Sequence, residues 1–188
     1  LFKLISSIDN DDTLTIFINK NDYLDGIVTD LCLKFENGDI KQSKLQKLKL
    51  IEPDSEEMEI PELIFSSIIN MPSSDFQKII RDLANISEKL EIQSVSDELI
   101  FRCAGQFANV EIRRTESTGN MQIIKKQNND EIIQGEFNLK NLVYFIKCTN
   151  LCNQIEIYLK NKKPLIVKYN VASLGDIKLC LAPLPSSN

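Results

Sequence analysis

The sequence contains no histidine, only six glycines and six prolines, and no Cys-x-x-Cys pair among its five cysteines. The lack of histidine excludes a metal site built from mixed cysteine and histidine ligands. The chain also shows no nucleophile beside a suitable base and no glycine-rich loop that could hold a phosphate. These absences argue against an enzyme. The scattered thiols are typical of small buried hydrophobic residues in a reducing compartment.

Long apolar runs are missing as well, so the sequence offers no candidate membrane-spanning segment. What is present is an ordinary globular composition: 188 residues, of which 43% are hydrophobic and 26% charged, with a net charge of −5. A chain of this size and composition can form one complete domain and part of another. We therefore expect no membrane partner and no cofactor.

The most informative pattern is an internal repeat. When residues 138–169 are set beneath residues 72–103, Arg81 aligns with Lys147, and the segment LIFRC aligns with LIVKY. Each copy predicts a helix, then a hairpin of alternating apolar and polar residues, then a further strand. A partial third copy, LFKLISSIDNDDTLTIFINK, opens the chain inside the helix of such a unit. We therefore expect an α+β fold of repeated helix-plus-sheet units, in a fragment that lacks the start of its first domain.

An acidic stretch bracketed by prolines, residues 51–62, separates the partial copy from the two complete ones. It has neither helical nor strand periodicity and is predicted to be a linker. Residues 1–50 are then the C-terminal part of a first domain, and residues 63–185 form a second domain. The acidic residues of the linker are interpreted as a solvated loop rather than a metal site. A second polar stretch, residues 116–131, is predicted to be a mobile loop between the two repeats.

Each predicted helix carries basic residues on the face opposite its apolar stripe. In SSDFQKIIRDLANI (residues 73–86) the helical period places Lys78 and Arg81 opposite the apolar side chains. The matching outward positions are Lys140 and Lys147 in the second helix and Lys3 in the partial copy. On one helix this pattern indicates a solvated face, but its recurrence in three related helices favours a shared positive surface. Such a surface on an acidic protein concentrates phosphates, and its contacts with DNA would be independent of sequence and sensitive to salt.

Five segments carry a resemblance to a known family. In chain order they are IPE after the acidic linker, MPSSDFQKIIRDL, LIFRCAGQFANVEI, FNLKNLVYFIKCTNLC and LIVKYNVASLGDIKLCLAP. With these segments in this order and spacing, the chain resembles the proliferating cell nuclear antigen family, the eukaryotic-type DNA sliding clamps, over essentially its whole length. The resemblance implies a DNA-clamp fold in which three two-domain subunits form a ring, with helices lining the hole and sheets outside.

The same resemblance implies a function and partners. The protein would be a DNA polymerase processivity factor, a homotrimer that encircles double-stranded DNA without reading its sequence. DNA polymerase and other replication and repair proteins would dock through short peptide motifs. An ATP-driven clamp loader would come from other proteins, because this chain has no nucleotide site. The expected location is the nucleus, or the viral replication site if the source is a virus.

The resemblance also assigns site residues by position. The residues that would face DNA are Lys3, Lys78, Arg81, Lys140 and Lys147. The pocket for partner peptides would be formed by Met58, Ile60, Pro61, Phe65, Pro164, Ala182 and Pro183. The contact between subunits would pair residues 43–50 with residues 107–114, through Lys44, Leu45, Lys47, Leu48, Asn109, Val110, Glu111, Ile112 and Arg113. Because the charges on these two strands are uneven, main-chain bonds and apolar contacts would have to dominate.

The chain departs from the family pattern at three positions. Ser6 stands where many clamps carry another lysine, which weakens the positive surface. Cys180 stands where the family often has tyrosine, which puts hydrogen bonding at the floor of the pocket in question. Ser96 stands at the position of the regulatory modification lysine, so that regulation is not expected at this position.

Two alternatives to this interpretation stay open at the level of sequence. One is a checkpoint-type clamp subunit that assembles into a hetero-ring, whose strand edges would not be self-complementary. The other is a monomeric interaction protein with the clamp fold. Without the resemblance, the apolar residues assigned to the pocket would be interpreted as residues that tie the linker to the domain.

Overall fold

The computed structural model describes residues 2–6, 8–24, 26–51, 63–116 and 120–185. The chain forms two compact units, Leu1–Pro61 and Glu62–Asn188. Met58, Ile60 and Pro61, which the resemblance assigned to the partner pocket, lie outside the described residues.

The first unit is built around a three-stranded antiparallel sheet. Its elements are α1 (Phe2–Ile5), β1 (Asp12–Phe17), a 3₁₀ helix (Lys20–Asp22), β2 (Tyr23–Leu24), β3 (Ile27–Val28), β4 (Asp30–Asn37) and β5 (Gln42–Lys49). The sheet order is β1-β4-β5, and β2 pairs with β3. Cys32, Leu33 and Phe35 of β4 are buried because β4 is the central strand.

The second unit contains both complete repeats. The first runs through β6 (Ser67–Pro72), α2 (Ser73–Ala84), β7 (Lys89–Val95), β8 (Glu98–Ala104), β9 (Asn109–Thr115) and β10 (Gln122–Lys126). The second runs through β11 (Ile133–Asn138), α3 (Leu139–Phe145), a 3₁₀ helix (Ile146–Leu151), β12 (Gln154–Leu159), β13 (Leu165–Val171) and β14 (Gly175–Leu181). Each repeat is therefore a strand, a helix and three antiparallel strands, with β10 added to the first.

Two antiparallel sheets are formed by an exchange of strands between the repeats. The five-stranded sheet has the order β10-β6-β12-β13-β14, and the four-stranded sheet has the order β11-β7-β8-β9. The strand that precedes each helix thus pairs with the hairpin of the other repeat: β6 lies beside β12, and β11 lies beside β7. This exchange makes the two repeats a single folding unit.

Strand β10 corrects the prediction of a mobile loop between the repeats. Within residues 116–131, β10 pairs with β6 in antiparallel fashion, with a bulge between Ile123 and Lys125. Met121 is buried and Ile123 packs against the core. The prediction was wrong because the polar residues on both sides drew attention away from a short apolar stretch. This stretch pairs with the edge of β6.

One hydrophobic core lies between the helices and the sheets. Helix α2 has 12 residues and buries Phe76, Ile79, Ile80 and Leu83, and α3 buries Leu139, Leu142 and Phe145. These side chains join the inward residues of both sheets in a continuous cluster, and each contributes about 1.5–3 kcal/mol to stability. The architecture is mixed α+β, with helices packed on antiparallel sheets. In the part of the chain that the structure describes, no helix is both long enough and apolar enough to cross a bilayer.

Candidate functional site

Helix α2 exposes two cations on the side opposite its buried stripe. Lys78 and Arg81 are exposed, whereas Ile79 and Ile80 between them are buried, as the helical period requires. Asp75, the acidic residue in the first turn, is held by Arg114, whose Nη2 lies 3.2 Å from Asp75 Oδ2. No carboxylate of the described residues forms an ion pair with Lys78 or Arg81. Their charges therefore face solvent.

Helix α3 presents Lys140, Tyr144 and, in the 3₁₀ turn that follows it, Lys147. The helix begins at Asn138, whose side chain accepts a hydrogen bond from the Lys140 backbone N–H. Tyr144 is 63% exposed, and the Lys147 ammonium lies 4.7 Å from the centre of its ring. The Tyr144 ring thus lies beside the cations and forms a cation–π contact with Lys147.

One of these cations is compensated inside the chain. The Lys140 ammonium donates to Glu88 at 2.7 Å, and this hydrogen bond lowers the pKa of the Glu88 carboxyl. Both side chains are more than two-thirds exposed, so solvent screens the pair and it adds little stability. Glu88 nevertheless reduces the positive field around Lys140. Lys78, Arg81 and Lys147 carry the remaining positive charge of this surface.

The end of α2 and the outer side of α3 border one concave surface. The cavity there measures about 890 Å³, and its lining includes Asn85, Glu88, Lys140, Tyr144 and Lys147. Helices α2 and α3 also pack against each other. Four of the five residues predicted to face DNA therefore lie on two adjoining helical segments. Lys3 lies in α1 of the first unit, and its side chain is outside the described part of the chain.

The described residues of the predicted partner pocket gather at one end of the five-stranded sheet. Pro164 directly precedes β13, and Ala182 and Pro183 directly follow β14. Because Leu165 pairs with Leu181, these three residues are at the same end of the two strands. Pro164 and Pro183 are half-buried, and Ala182 is exposed.

Phe65 belongs to the same surface through an aromatic contact that the sequence did not predict. Its ring meets Tyr158 edge to face, with the ring centres 5.4 Å apart. Tyr158 lies opposite Ile166, and Ile166 lies opposite Cys180. A phenol is therefore present on β12, two strands from Cys180 on β14, the position at which the family often has tyrosine. The Tyr158 hydroxyl donates to the Glu156 carboxylate, and burial together with this bond raises the pKa of Tyr158.

The two strands predicted to pair between subunits both lie at sheet ends. Among the described residues, β5 pairs only with β4, and β9 pairs only with β8. On β5, Leu45 is 56% exposed, and Lys47 donates to both oxygens of Asp22 at 2.8 Å. Asp22 is largely buried, and its hydrogen bond raises the pKa of Lys47. Leu48 lies between the exposed residues Lys47 and Lys49 and is half-buried.

The charges on β9 are paired within the chain. Glu111 accepts from Arg102 Nε at 2.5 Å through one oxygen and from Arg113 Nε at 2.6 Å through the other. Arg113 also donates to Glu98 at 3.0 Å. These bonds lower the pKa of Glu111 and raise that of each arginine. Asn109 and Glu111 point to the exposed side of β9, whereas Val110 and Ile112 are half-buried and pack against the core.

Phe107 opens the segment 107–114 that was predicted to contact a second subunit, although the residues named individually for that contact begin at Asn109. It is 76% exposed in the loop between β8 and β9. The loop lies close to the end of α2, since a Cβ at Gly105 would be 2.2 Å from the Ile86 carbonyl oxygen. The signal was present in the sequence, because an aromatic residue stands directly before the alternating strand in GQFANVEI.

Comparisons with known proteins agree with this architecture. Residues 59–184 match the family described as proliferating cell nuclear antigen, C-terminal domain. The chain is 33% identical over 185 residues to a "Probable DNA polymerase sliding clamp" of Acanthamoeba polyphaga mimivirus, covering 98% of this chain and 38% of that protein. It is 35% identical over 190 residues to "Probable DNA polymerase sliding clamp 1" of Paramecium bursaria Chlorella virus 1, covering 99% and 70%.

A cellular relative gives a similar match. The chain is 31% identical over 189 residues to "Proliferating cell nuclear antigen" of Chaetomium thermophilum, covering 97% of this chain and 69% of that protein. The chain therefore spans 38% of the length of the mimivirus protein and about 70% of the other two.

Proposed function

Because this chain belongs to the proliferating cell nuclear antigen family, we propose that it acts as a DNA polymerase processivity factor, a sliding clamp that encircles double-stranded DNA. The observation that carries the proposal is the pair of helices α2 and α3. Both bury an apolar stripe in one core; α2 exposes Lys78 and Arg81, and the 3₁₀ turn that follows α3 exposes Lys147. A positive face on a chain of net charge −5 attracts phosphates to that face, while the rest of the molecule repels them.

The proposed mechanism is topological. DNA trapped inside a closed ring keeps a bound polymerase at the template, because dissociation would require the ring to open. Lysine and arginine contacts with phosphates carry no sequence information and exchange readily with counterions. Such contacts centre the duplex and still permit sliding. No step of this mechanism uses a catalytic group, and none is assigned.

The proposed assembly is a homotrimeric ring. Residues 1–50 form the end of a first clamp domain, residues 51–62 the interdomain connector and residues 63–185 the second clamp domain. In the described part of the chain, β5 and β9 each pair on one side only, and this supports the assembly because an exposed strand edge favours pairing with another chain. Leu45 on β5 and Phe107 beside β9 supply exposed apolar contacts for it.

The proposed partners are DNA polymerase and other proteins that carry short peptide motifs, together with an ATP-driven clamp loader. The grouping of Pro164, Ala182 and Pro183 at one end of the five-stranded sheet supports a docking surface there. Prolines hold such walls rigid, and the small alanine leaves space for an aromatic anchor. The relatives come from a eukaryote and from large DNA viruses, which supports work in a nucleus or at a viral replication site.

Charge reversal on α2 tests the DNA-facing role. In the full-length gene product, Lys78→Glu with Arg81→Glu removes two phosphate contacts per subunit and adds repulsion. We expect polymerase stimulation on primed circular DNA to fall about tenfold or more, and the salt dependence of DNA binding to weaken by about one unit of slope per lost contact. The solution mass should not change, because both side chains are exposed.

The matched control is Lys20→Glu with Lys41→Glu. These lysines are exposed and belong to none of the three predicted surfaces, and the substitution makes the same change in charge. Stimulation should stay close to that of the unmodified protein. Equal stimulation by both double variants would contradict the assignment of α2 to the DNA-facing surface.

A further inference from the structure

The concave surface beside the end of α2 and the outer side of α3 combines three kinds of chemistry. Its described lining contains an exposed aromatic ring, that of Tyr144, and the exposed side-chain amides of Asn85 and Gln106. It also contains three cations and one carboxylate, those of Lys89, Lys140, Lys147 and Glu88. The cavity of about 890 Å³ therefore offers a ligand an aromatic face, hydrogen-bonding groups and a net positive charge.

The ring of Tyr144 is held by one contact and is still open to another. The Lys147 ammonium lies 4.7 Å from the ring centre, and the side chain is nevertheless 63% exposed. The cation therefore covers only part of the ring, and the exposed remainder can receive a second flat group. A nucleic-acid base is such a group, because every base has a face that can stack on an aromatic side chain.

The lysines of this cavity can still bind phosphates. Lys140 pairs with Glu88 at 2.7 Å, but both side chains are more than two-thirds exposed. The Lys89 ammonium is 3.9 Å from Glu136, close to the longest separation that counts as an ion pair. Exposed pairs of this kind contribute little free energy, so a phosphate can replace the carboxylate beside each lysine. The cavity can thus hold the phosphates of a strand whose base lies on Tyr144.

The border of the cavity is fixed before any ligand arrives. Asn85 Nδ2 donates to the Arg81 carbonyl at 3.1 Å, which orients the amide. The loop that carries Gln106 lies against the end of α2, because a Cβ at Gly105 would be 2.2 Å from the Ile86 carbonyl oxygen. A surface that is already ordered loses less conformational freedom when it binds a ligand.

The exposed ring distinguishes between two forms of DNA. In a duplex the bases are already paired and stacked, and lysines and arginines reach mainly the phosphates. An aromatic ring among cations is instead typical of surfaces that bind single strands, in which bases are free to stack on protein. We propose that this cavity binds single-stranded DNA, with Tyr144 stacked on an unpaired base and the lysines beside it on phosphates. The inference rests on the proposed clamp function, because a polymerase at work always has single-stranded template beside it.

The test is Tyr144→Ala in the full-length gene product, with Tyr144→Phe as the conservative variant. The probe is a labelled oligothymidylate, and fluorescence anisotropy at one fixed, low salt concentration measures its dissociation constant. We expect Tyr144→Ala to raise the dissociation constant about tenfold, because the stack on one base is lost. Tyr144→Phe should stay within about twofold of the unmodified protein, because phenylalanine keeps the ring.

The matched control is Tyr23→Ala. Tyr23 is also exposed, at 56%, but it lies in β2 of the first unit and not in this cavity. Its substitution should leave the dissociation constant unchanged. Unchanged affinity in Tyr144→Ala, or an equal loss of affinity in Tyr23→Ala, would overturn the inference. An affinity as low in Tyr144→Phe as in Tyr144→Ala would overturn it as well, because the hydroxyl and not the ring would then be the binding group.

Intrinsic tyrosine fluorescence gives a second measurement on the same samples. The chain has four tyrosines and no tryptophan, so the tyrosine emission can be followed directly. Oligothymidylate should quench this emission in the unmodified protein, because a base stacks on Tyr144. Tyr144→Phe should bind the oligonucleotide with much less quenching. Equal quenching in the two proteins would contradict a stack on Tyr144.

Failure of the clamp function and failure of this inference give different results. Retention on closed circular duplex DNA should be the same in Tyr144→Ala as in the unmodified protein, because enclosure requires no base stack. Loss of retention in the unmodified protein would contradict the sliding clamp. An equal dissociation constant for oligothymidylate in Tyr144→Ala and Tyr144→Phe would contradict only the role of the cavity.

Discussion

Two tyrosines on neighbouring strands have hydroxyl groups in opposite situations. Tyr169 is fully buried, and within the described residues its hydroxyl oxygen forms no hydrogen bond of good geometry; burial raises its pKa, and a weaker interaction with the Thr149 side chain lowers it. Tyr158 donates to the Glu156 carboxylate. A buried hydroxyl without a partner costs free energy, whereas a hydrogen bond to a charged group contributes to stability. The same chemical change should therefore have opposite effects at the two positions.

We predict that Tyr169→Phe leaves the free energy of unfolding unchanged or raises it by up to about 1 kcal/mol, because the removed oxygen forms no hydrogen bond of good geometry within the described residues. Tyr158→Phe should lower it by about 1–3 kcal/mol, because it removes a bond to a carboxylate. Urea unfolding of the two variants and the unmodified protein measures both values. A loss of stability in Tyr169→Phe as large as that in Tyr158→Phe would show that the Tyr169 hydroxyl has a partner after all.

The sequence predicted individual residues well wherever a helical period separated two faces. It placed Lys78 and Arg81 opposite buried isoleucines, and both are exposed. It could not predict that Glu88 binds Lys140, because 52 positions separate the two residues along the chain. The same holds for Glu111, whose partner Arg102 faces it only after β8 and β9 have paired in register.

The connection between β8 and β9 shows how one glycine constrains an element. A Cβ at Gly105 would be 2.2 Å from the backbone oxygen of Ile86, and backbone cannot move aside as a flexible side chain can. Gly105 N–H also donates to the Ala108 carbonyl at 2.9 Å. The loop that carries Phe107 is thus fixed against the end of α2 by a close approach that only glycine permits.

Gly105→Ala should lower the free energy of unfolding by about 1–3 kcal/mol, because either the loop or the end of α2 must shift. Gly38→Ala is the matched control, since a Cβ there would meet nothing within 4 Å. It should change stability by less than about 0.5 kcal/mol. Thermal or urea unfolding compares the two, and equal stability would contradict the close approach at Gly105.

At the level of elements, local patterns identified the helices and hairpins but not their pairing. The alternation in β7, β8, β12 and β13 predicted hairpins, and these strands do pair as neighbours. The exchange of β6 and β11 between repeats was not predictable, because alternation shows which face is buried and not which strand lies alongside. Strand β10 was missed for the related reason that its pairing depends on a distant partner, β6.

Across the whole molecule, positive charge is concentrated on one surface although the net charge is negative. The chain has a net charge of −5. Even so, Lys78 and Arg81 are exposed on the outer side of α2, and Lys147 is exposed at the start of the 3₁₀ turn that follows α3. Acidic surroundings repel phosphates, so in the proposed function attraction to DNA is confined to this surface. The family resemblance, and not composition or periodicity, supplied the prediction of a ring. The proposed closure depends on contacts between chains, which the sequence of one chain does not specify by local pattern.

The central claim is that the protein holds DNA by enclosing it. The measurement is retention of the full-length protein, loaded by its clamp loader, on closed circular DNA at a salt concentration that abolishes ordinary phosphate contacts. The account predicts that the protein stays on the circle and is released when a single cut makes the DNA linear. Equal release from circular and linear DNA would contradict enclosure and indicate that the positive helix surface binds DNA without surrounding it.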